Sequence, residues 1–139
     1  MIRVEAYRPE METQVDALWR EAFPDDPPRN RAAVAIPAKL AFQPDLLLVA
    51  TEDGAVVGTV MAGYDGHRGW LYAVAVRRSH RRRGIGRTLI GEAEERLAKI
   101  GCTKINLQVR ATNEAVVGFY RDLGYAVEER ISMGKAVGS

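Results

Sequence analysis

Cysteine is nearly absent from this chain: Cys102 is the only one among 139 residues, so no intramolecular disulfide can form. No Cys/His cluster has the spacing of a zinc site either, and no metal is expected. A reducing cytoplasm is the expected compartment. Long apolar runs are missing too. The longest, residues 46–50 and 70–76, fall far short of the ~20 residues that cross a bilayer, which argues against a membrane-spanning helix. Met1-Ile2-Arg3-Val4-Glu5 has no basic segment followed by an apolar one, so no secretory signal is expected. Charge of one sign is scarce, with 20 Lys and Arg against 18 Asp and Glu, and aromatics make up 7% with none interleaved among the arginines. Neither feature fits a nucleic-acid reader.

What is present suits one globular domain spanning residues 1–139. Hydrophobic residues are 47% and charged residues 27% of the chain, and a domain of this length buries roughly 70% of its unfolded surface without staples. Strand-like and helix-like periods alternate. Residues 2–7 alternate apolar with polar and predict a first strand. Pro9 is pre-shaped to start a helix with Met11, Val15, Leu18, Trp19 and Ala22 on one face, ended by Pro24-Asp25-Asp26-Pro27-Pro28. Residues 29–42 allow a weaker helix that Pro37 should kink or split. Residues 46–51 and 55–64 are strand-rich and flank Asp53-Gly54, which favours a tight hairpin. Residues 70–76 are apolar throughout and predict a central strand. Ile85, Leu89, Ala93 and Leu97 recur at helical spacing up to Gly101, a predicted C-cap. Residues 104–109 predict another strand, and Asn113 is placed to cap a helix carrying Val116, Phe119, Tyr120 and Leu123. Residues 125–135 leave room for two short final strands. The order predicts a mixed α/β single sheet.

Charge is concentrated in one place. Arg77, Arg78, Arg81, Arg82, Arg83 and Arg87 crowd the passage from the central strand through Gly84-Ile85-Gly86 into the next helix. Amides in the first turn of a helix lack internal partners and the helix dipole adds positive charge there, so such a terminus binds phosphate. Glycines let a pyrophosphate approach the backbone. A solvated basic turn whose glycines serve only its geometry is the other reading of the same residues. A P-loop fails for want of Lys, and a Gly-x-Gly-x-x-Gly fingerprint fails because position 89 is Leu.

What fits is Arg81-x-x-Gly84-x-Gly86, which resembles the Gln/Arg-x-x-Gly-x-Gly/Ala signature of the GNAT superfamily of N-acyltransferases. A second segment, Asn113-Glu-Ala-Val-Val-Gly-Phe-Tyr120-Arg-Asp-Leu-Gly-Tyr125, is similar to that family's Asn-x-x-Ala-x-x-Phe-Tyr-x-x-x-Gly-Phe/Tyr, with Val116 where Ala is usual. The resemblance covers essentially the whole chain. Residues 63–69 and the ending Ser132-Met-Gly-Lys135 also resemble small stand-alone bacterial acetyltransferases of the YpeA type. The resemblance implies a mostly antiparallel central sheet flanked by helices, with its fourth and fifth strands splayed apart.

It also implies acetyl-CoA as co-substrate and an amine as acceptor, with direct attack and no acyl-enzyme; a homodimer is compatible with it. In the family the splayed strand pairs with the pantetheine arm, a role that falls here to Val74, Ala75 and Val76. Arg81, Arg82, Arg83, Gly84, Ile85, Gly86 and Arg87 would cradle the pyrophosphate, and Asn113 would touch the cofactor. An amide near Val74 would stabilise the oxygen that gains charge. Tyr120 matches the general acid for the departing thiolate, although an amphipathic-helix Tyr with its ring in the core is the plain alternative. Cys102 reads as a small buried filler.

The base is where this sequence departs. Gln108 stands where ribosomal-protein alanine acetyltransferases carry a proton-accepting Glu, and Gln takes no proton near neutral pH. A water relay, Tyr72, Glu128 or His67 remain as candidates; His67 also reads as a turn residue and His80 as an exposed one. Asp25, Asp26, Glu128 and Glu129 could attract a cationic amine or simply be solvated. A non-catalytic module that binds coenzyme A or nucleic acid through the arginine cluster is the reading from another class.

Overall fold

The alternation at the start of the chain forms β1 (Ile2–Ala6), and Asp53-Gly54, both at positive φ (52° and 82°), closes the tight hairpin between β2 (Leu47–Glu52) and β3 (Ala55–Tyr64). The structure, a computed structural model, describes residues 1–138, and the chain divides into two units, Met1–Gln108 and Val109–Ser139. In the first unit β4 (Gly69–Val76) and β5 (Ile105–Leu107) complete one sheet in the order β1-β2-β3-β4-β5. The pairs from β1 to β4 are antiparallel and β5 is parallel to β4, so the sheet is mixed and mostly antiparallel as the sequence implied.

A single turn at Pro9–Met11 leads into α1 (Glu12–Ala22), whose Val15, Leu18 and Trp19 are buried. They share a cluster with Ile36 of α2 (Ala32–Leu40) and with Leu47, Val49, Val56 and Ala75 of the sheet. Leu48 and Ala50 alternate away from that cluster. On the opposite face lies α3 (Ile85–Lys99), which buries Ile85, Leu89, Ile90, Ala93 and Leu97. Its close approach depends on Gly58, where an added Cβ would sit 2.9 Å from Leu89 Cδ1 and 3.0 Å from the Ala75 carbonyl. Fully burying one such aliphatic side chain is worth about 1.5–3 kcal/mol, so these two layers hold the sheet. No helix among the described residues is long and apolar enough to cross a membrane.

Two expectations for this unit need correction. Pro37 does not split its helix, which runs through it from Ala32 to Leu40 and is shorter than residues 29–42. A proline removes one amide bond, and the buried Ala32 and Ile36 hold this short helix by packing instead. The fifth strand is shorter than residues 104–109, because its ladder with β4 spans only Gly69↔Ile105, Trp70↔Asn106 and Leu71↔Leu107.

In the second unit α4 (Ala115–Asp122) ends as predicted at Gly124, where the Gly124 amide donates to the Arg121 carbonyl and the Tyr125 amide to the Tyr120 carbonyl, both at 3.0 Å. Its start differs. The capping position is Glu114, with no side-chain cap, and Asn113 takes part through its carbonyl, which accepts from the Val116 amide at 3.2 Å. Residues 125–135 form neither of the two final strands expected of them. A strand needs a partner ladder, and Val127, Ile131 and Met133 are exposed.

Candidate active site

Beyond Leu71 the outer edge of β4 has no ladder with β5, yet β4 continues to Val76. Its other edge pairs with β3 through an irregularity: Thr59 faces Ala75 and Met61 faces Tyr72, so Val60 alone opposes both Ala73 and Val74. This is a β-bulge, which bends the strand and takes a residue out of the regular ladder. Ala73 adopts φ 49°, a left-handed conformation that a residue with a Cβ rarely takes. The strain is held by two linked hydrogen bonds, the first buried and the second part-buried. Trp19 Nε1 donates to Thr59 Oγ1 at 2.9 Å, and Thr59 Oγ1 donates to the Ala73 carbonyl at 2.8 Å.

From Val76 the chain runs into the arginine-rich turn and α3. The backbone has positive φ at Arg82 (65°) and at Gly84 (78°), the second of which suits only glycine readily, and nothing lies within 4 Å of where a Gly84 Cβ would be. Thr88 closes the helix onto the Gly84 carbonyl with both its amide and its hydroxyl, each at 3.0 Å. The amides of residues 85–87, in the first turn, donate to no backbone carbonyl among the described residues. The strand end, the turn and the helix start thus bring Val74, Ala75, Val76 and residues 81–87 into one continuous stretch of backbone.

The arginines do not act alike. Arg77 Nε donates to the Val56 carbonyl at 2.7 Å and fastens the strand end to β3. Arg81 Nε reaches back to the Val76 carbonyl at 3.3 Å. Arg83 grips Glu52 at the end of β2 through two bonds of 3.2 and 2.5 Å. Glu52 also meets His80 Nε2 at 3.1 Å, and His80 Nδ1 lies 2.7 Å from Ser79 Oγ. The sequence reading of His80 as merely exposed is therefore corrected. Hydrogen bonding and attraction from Arg83 hold the Glu52 carboxyl below its ordinary range, His80 adding a smaller part. Glu21 of α1 accepts from the Arg78 amide at 3.2 Å. The exposed guanidiniums of Arg78, Arg82 and Arg87 have no such engagement among the described residues, and those of Arg82 and Arg87 flank the start of α3.

Of the proton-transfer candidates, Tyr72 lies on β4 beside the bulge, 51% exposed, and burial followed by the Asp65 charge raises its phenol. His67 is a turn residue, its amide bonded to Asp65 Oδ1 at 2.8 Å. Gln108 is exposed, one residue beyond β5. Asp25 and Asp26 lie in the turn after α1. In the second unit Tyr120 is half-buried on α4, its ring edge-on to Phe119 and Tyr125 at centroid distances of 5.1 and 6.0 Å. Burial raises its phenol above the ordinary 10.0 and so keeps it protonated. Glu128 and Glu129 are exposed in the stretch after α4. Sequence reasoning missed Glu52, Trp19 and Thr59. For Thr59 a signal existed: a lone hydroxyl in the apolar run from Val56 to Met61 must find a partner when buried.

The model of the acetyltransferase (GNAT) family matches residues 11–125. An acetyltransferase of Yersinia enterocolitica is 44% identical over 108 residues, covering 78% of this chain and 77% of its own. Among solved structures, Ard1 from Thermoplasma volcanium superposes with a TM-score of 0.82 at 20% identity, covering 91% of this chain and 84% of its own. Aminoglycoside N-acetyltransferase AAC(6')-Iy, solved in complex with CoA, gives 0.79 at 20% identity over 98% of this chain and 95% of its own. The strand, turn and helix order, the family match over most of the chain and the identity to a named acetyltransferase agree: this chain belongs to the GNAT family of acetyltransferases.

Proposed function

We propose that this chain, acting as a single domain of 139 residues in the cytoplasm, transfers the acetyl group of acetyl-CoA to a primary amine by direct attack. The observation that carries the reading is the bulged, open-edged end of β4 running into a turn with unengaged first-turn amides, beside which the Arg82 and Arg87 guanidiniums are also unengaged. These residues fit the co-substrate. A pyrophosphate is a compact dianion, which first-turn amides and the Arg82 and Arg87 guanidiniums suit. An extended amide-bearing arm pairs with an open strand edge, offered by Val74, Ala75 and Val76.

Acetyl-CoA supplies the activated thioester. The residues of the chain do the rest. Arg81, Arg82, Arg83, Gly84, Ile85, Gly86 and Arg87 form the cradle, Arg83 through its backbone because its guanidinium holds Glu52. Asn113 would add a contact to the co-substrate. The Val74 amide donates to the carbonyl oxygen as charge develops on it. Tyr120, kept protonated by burial, gives a proton to the leaving thiolate. Gln108 accepts no proton, so the amine loses its own to water and the rate climbs with pH toward the amine's pKa. Cys102 is buried, with its Sγ donating to the Lys104 carbonyl at 3.3 Å, and plays no nucleophilic part.

The test is thiol release from acetyl-CoA with a panel of glycinamide, Nα-acetyl-lysine, spermidine, an alanine-initiated peptide and an aminoglycoside, with calorimetric titration of CoA beside it. Acceptor-dependent release and an acetylated product are expected for at least one amine. CoA binding with no transfer to any of them would instead favour the non-catalytic module.

A further inference from the structure

Thr59 is fully buried and Trp19 nearly so, and a hydroxyl is retained at position 59 although Val would fill the same space. The hydroxyl stands between two partners: it accepts from the Trp19 indole at 2.9 Å and donates to the Ala73 carbonyl at 2.8 Å. That carbonyl is half of a peptide group whose other half is the Val74 amide. The peptide is planar, and no cis bond occurs among the described residues, so the carbonyl and the amide of one group point in opposite directions. Holding the Ala73 oxygen on Thr59 of β3 therefore aims the Val74 N–H away from β3, toward the edge of β4 that the β5 ladder leaves uncovered past Leu71. Ala73 at φ 49° would not keep this orientation unaided, because its Cβ disfavours the left-handed backbone that the bulge imposes. Packing adds a second restraint: Ala73 lies against the cluster containing Trp19, Val15 and Leu18.

We infer that Trp19 and Thr59 are positioning residues for acyl transfer, which act by locking the Ala73–Val74 peptide so that its amide faces the reacting carbonyl. The inference rests on the reading of the Val74 amide as the charge-stabilising donor. Neither side chain touches substrate. Their contribution is to remove the alternative orientation of one peptide group, and an amide fixed before reaction stabilises developing charge without reorganising. The lock should thus matter more to turnover than to the binding of CoA, which keeps the arginine turn and the Ala75 and Val76 part of the strand edge.

The experiment compares wild type, Thr59→Val, Thr59→Ser and the double variant Thr59→Val/Ala73→Gly, using acetyl-CoA with glycinamide at pH 9, where that amine is largely neutral. Thr59→Val should lower kcat by about tenfold or more while the calorimetric Kd for CoA changes by less than about threefold. Thr59→Ser, which keeps the hydroxyl, should stay within about threefold of wild type. Adding Ala73→Gly should recover part of the loss, because glycine accepts the bulge conformation without the lock. Nitrogen-15 spectra give a readout besides activity: in Thr59→Val the Trp19 indole and Val74 amide resonances should both move, and Val74 should exchange faster. If Thr59→Val does not fold, Trp19→Phe removes the indole donor together with part of the buried ring, and the folded variant should show a kcat lowered by several-fold at unchanged Kd. Wild-type kcat in a folded Thr59→Val, or in that Trp19→Phe, overturns the lock alone. Thr59→Ser as slow as Thr59→Val would reduce the pair to packing and overturn it too. A wild-type chain that binds CoA but acetylates no amine overturns the proposed function and the lock together.

Discussion

Residues 69–71 of β4 have β3 on one side and β5 on the other, whereas residues 72–76 pair with β3 alone and carry the bulge. Both stretches are largely apolar in sequence, and their difference comes from what surrounds them. At the doubly paired end, Gly69 is roofed by Cys102 and Leu97, its amide donates to the Lys104 carbonyl at 2.8 Å, and nothing is left over for a ligand. At the other end a peptide group is taken out of the ladder and held by side chains from α1 and β3. One strand therefore provides anchorage at its start and an open edge at its finish, and substitutions at the two ends should separate stability from chemistry.

The largest effect expected lies outside β4 and tests whether its open end suffices. Tyr120→Phe should lower turnover by about 10²–10⁴-fold with CoA affinity near wild type, since only the departing thiolate needs the phenolic proton. Burial lifts that phenol above 10.0, so turnover should show no decline from its ionisation as pH rises to that value. A rate profile of both proteins checks this, and equal turnover with chemistry rate-limiting would remove Tyr120 from the mechanism. At the doubly paired end, a Cβ on Gly69 would come 2.7 Å from Cys102 Sγ and 3.1 Å from Leu97 Cδ1. Gly69→Val should cost about 1–3 kcal/mol by overpacking, read as a lower urea midpoint, while the folded protein keeps its CoA affinity. Loss of CoA affinity without loss of stability would erase the distinction between the two ends.

Gly86→Asp makes the converse case. Bulk and negative charge at the start of α3 should weaken CoA at least tenfold, about 1.4 kcal/mol, with the urea midpoint unchanged; calorimetry showing unaltered affinity would displace the cradle. The smallest effect concerns the brace between β2 and the turn. The Glu52 carboxyl is lowered in the folded protein from its ordinary 4.5, chiefly by Arg83. Its contribution to stability is thus present above about pH 4.5 and lost as pH falls through the lower folded value. Urea midpoints of wild type and Glu52→Gln should differ at pH 7 and converge in acid. A gap that persists at pH 3 would assign the effect to packing rather than charge.

Local chemistry made much of this legible. Asp53-Gly54 announced its hairpin, the spacing from Ile85 to Leu97 its helix, and Gly101 and Gly124 their helix ends, because each depends on neighbours in sequence. The strand, turn and helix that frame the proposed cradle were legible for the same reason. Three features were not. The bulge occurs at Ala73, with no glycine to mark a left-handed residue, and is held by Trp19 and Thr59 from distant segments. The division of labour among the arginines depends on Glu52, which only the folded sheet brings to Arg83 and His80. Residues 125–135 leave room for two short strands, but room in the sequence says nothing of whether a partner backbone lies alongside.

The position of Cys102 has a practical consequence for measuring any of these rates. The residue is 9% exposed, its sulfur packed over Gly69 and bonded to the Lys104 carbonyl. A thiol so enclosed is slow to meet a bulky reagent in solution. A chromogenic disulfide added to the native protein should therefore count the coenzyme's newly freed sulfhydryl against an almost silent background, and the colour yield per chain before acetyl-CoA is added would report directly on whether the fold is intact.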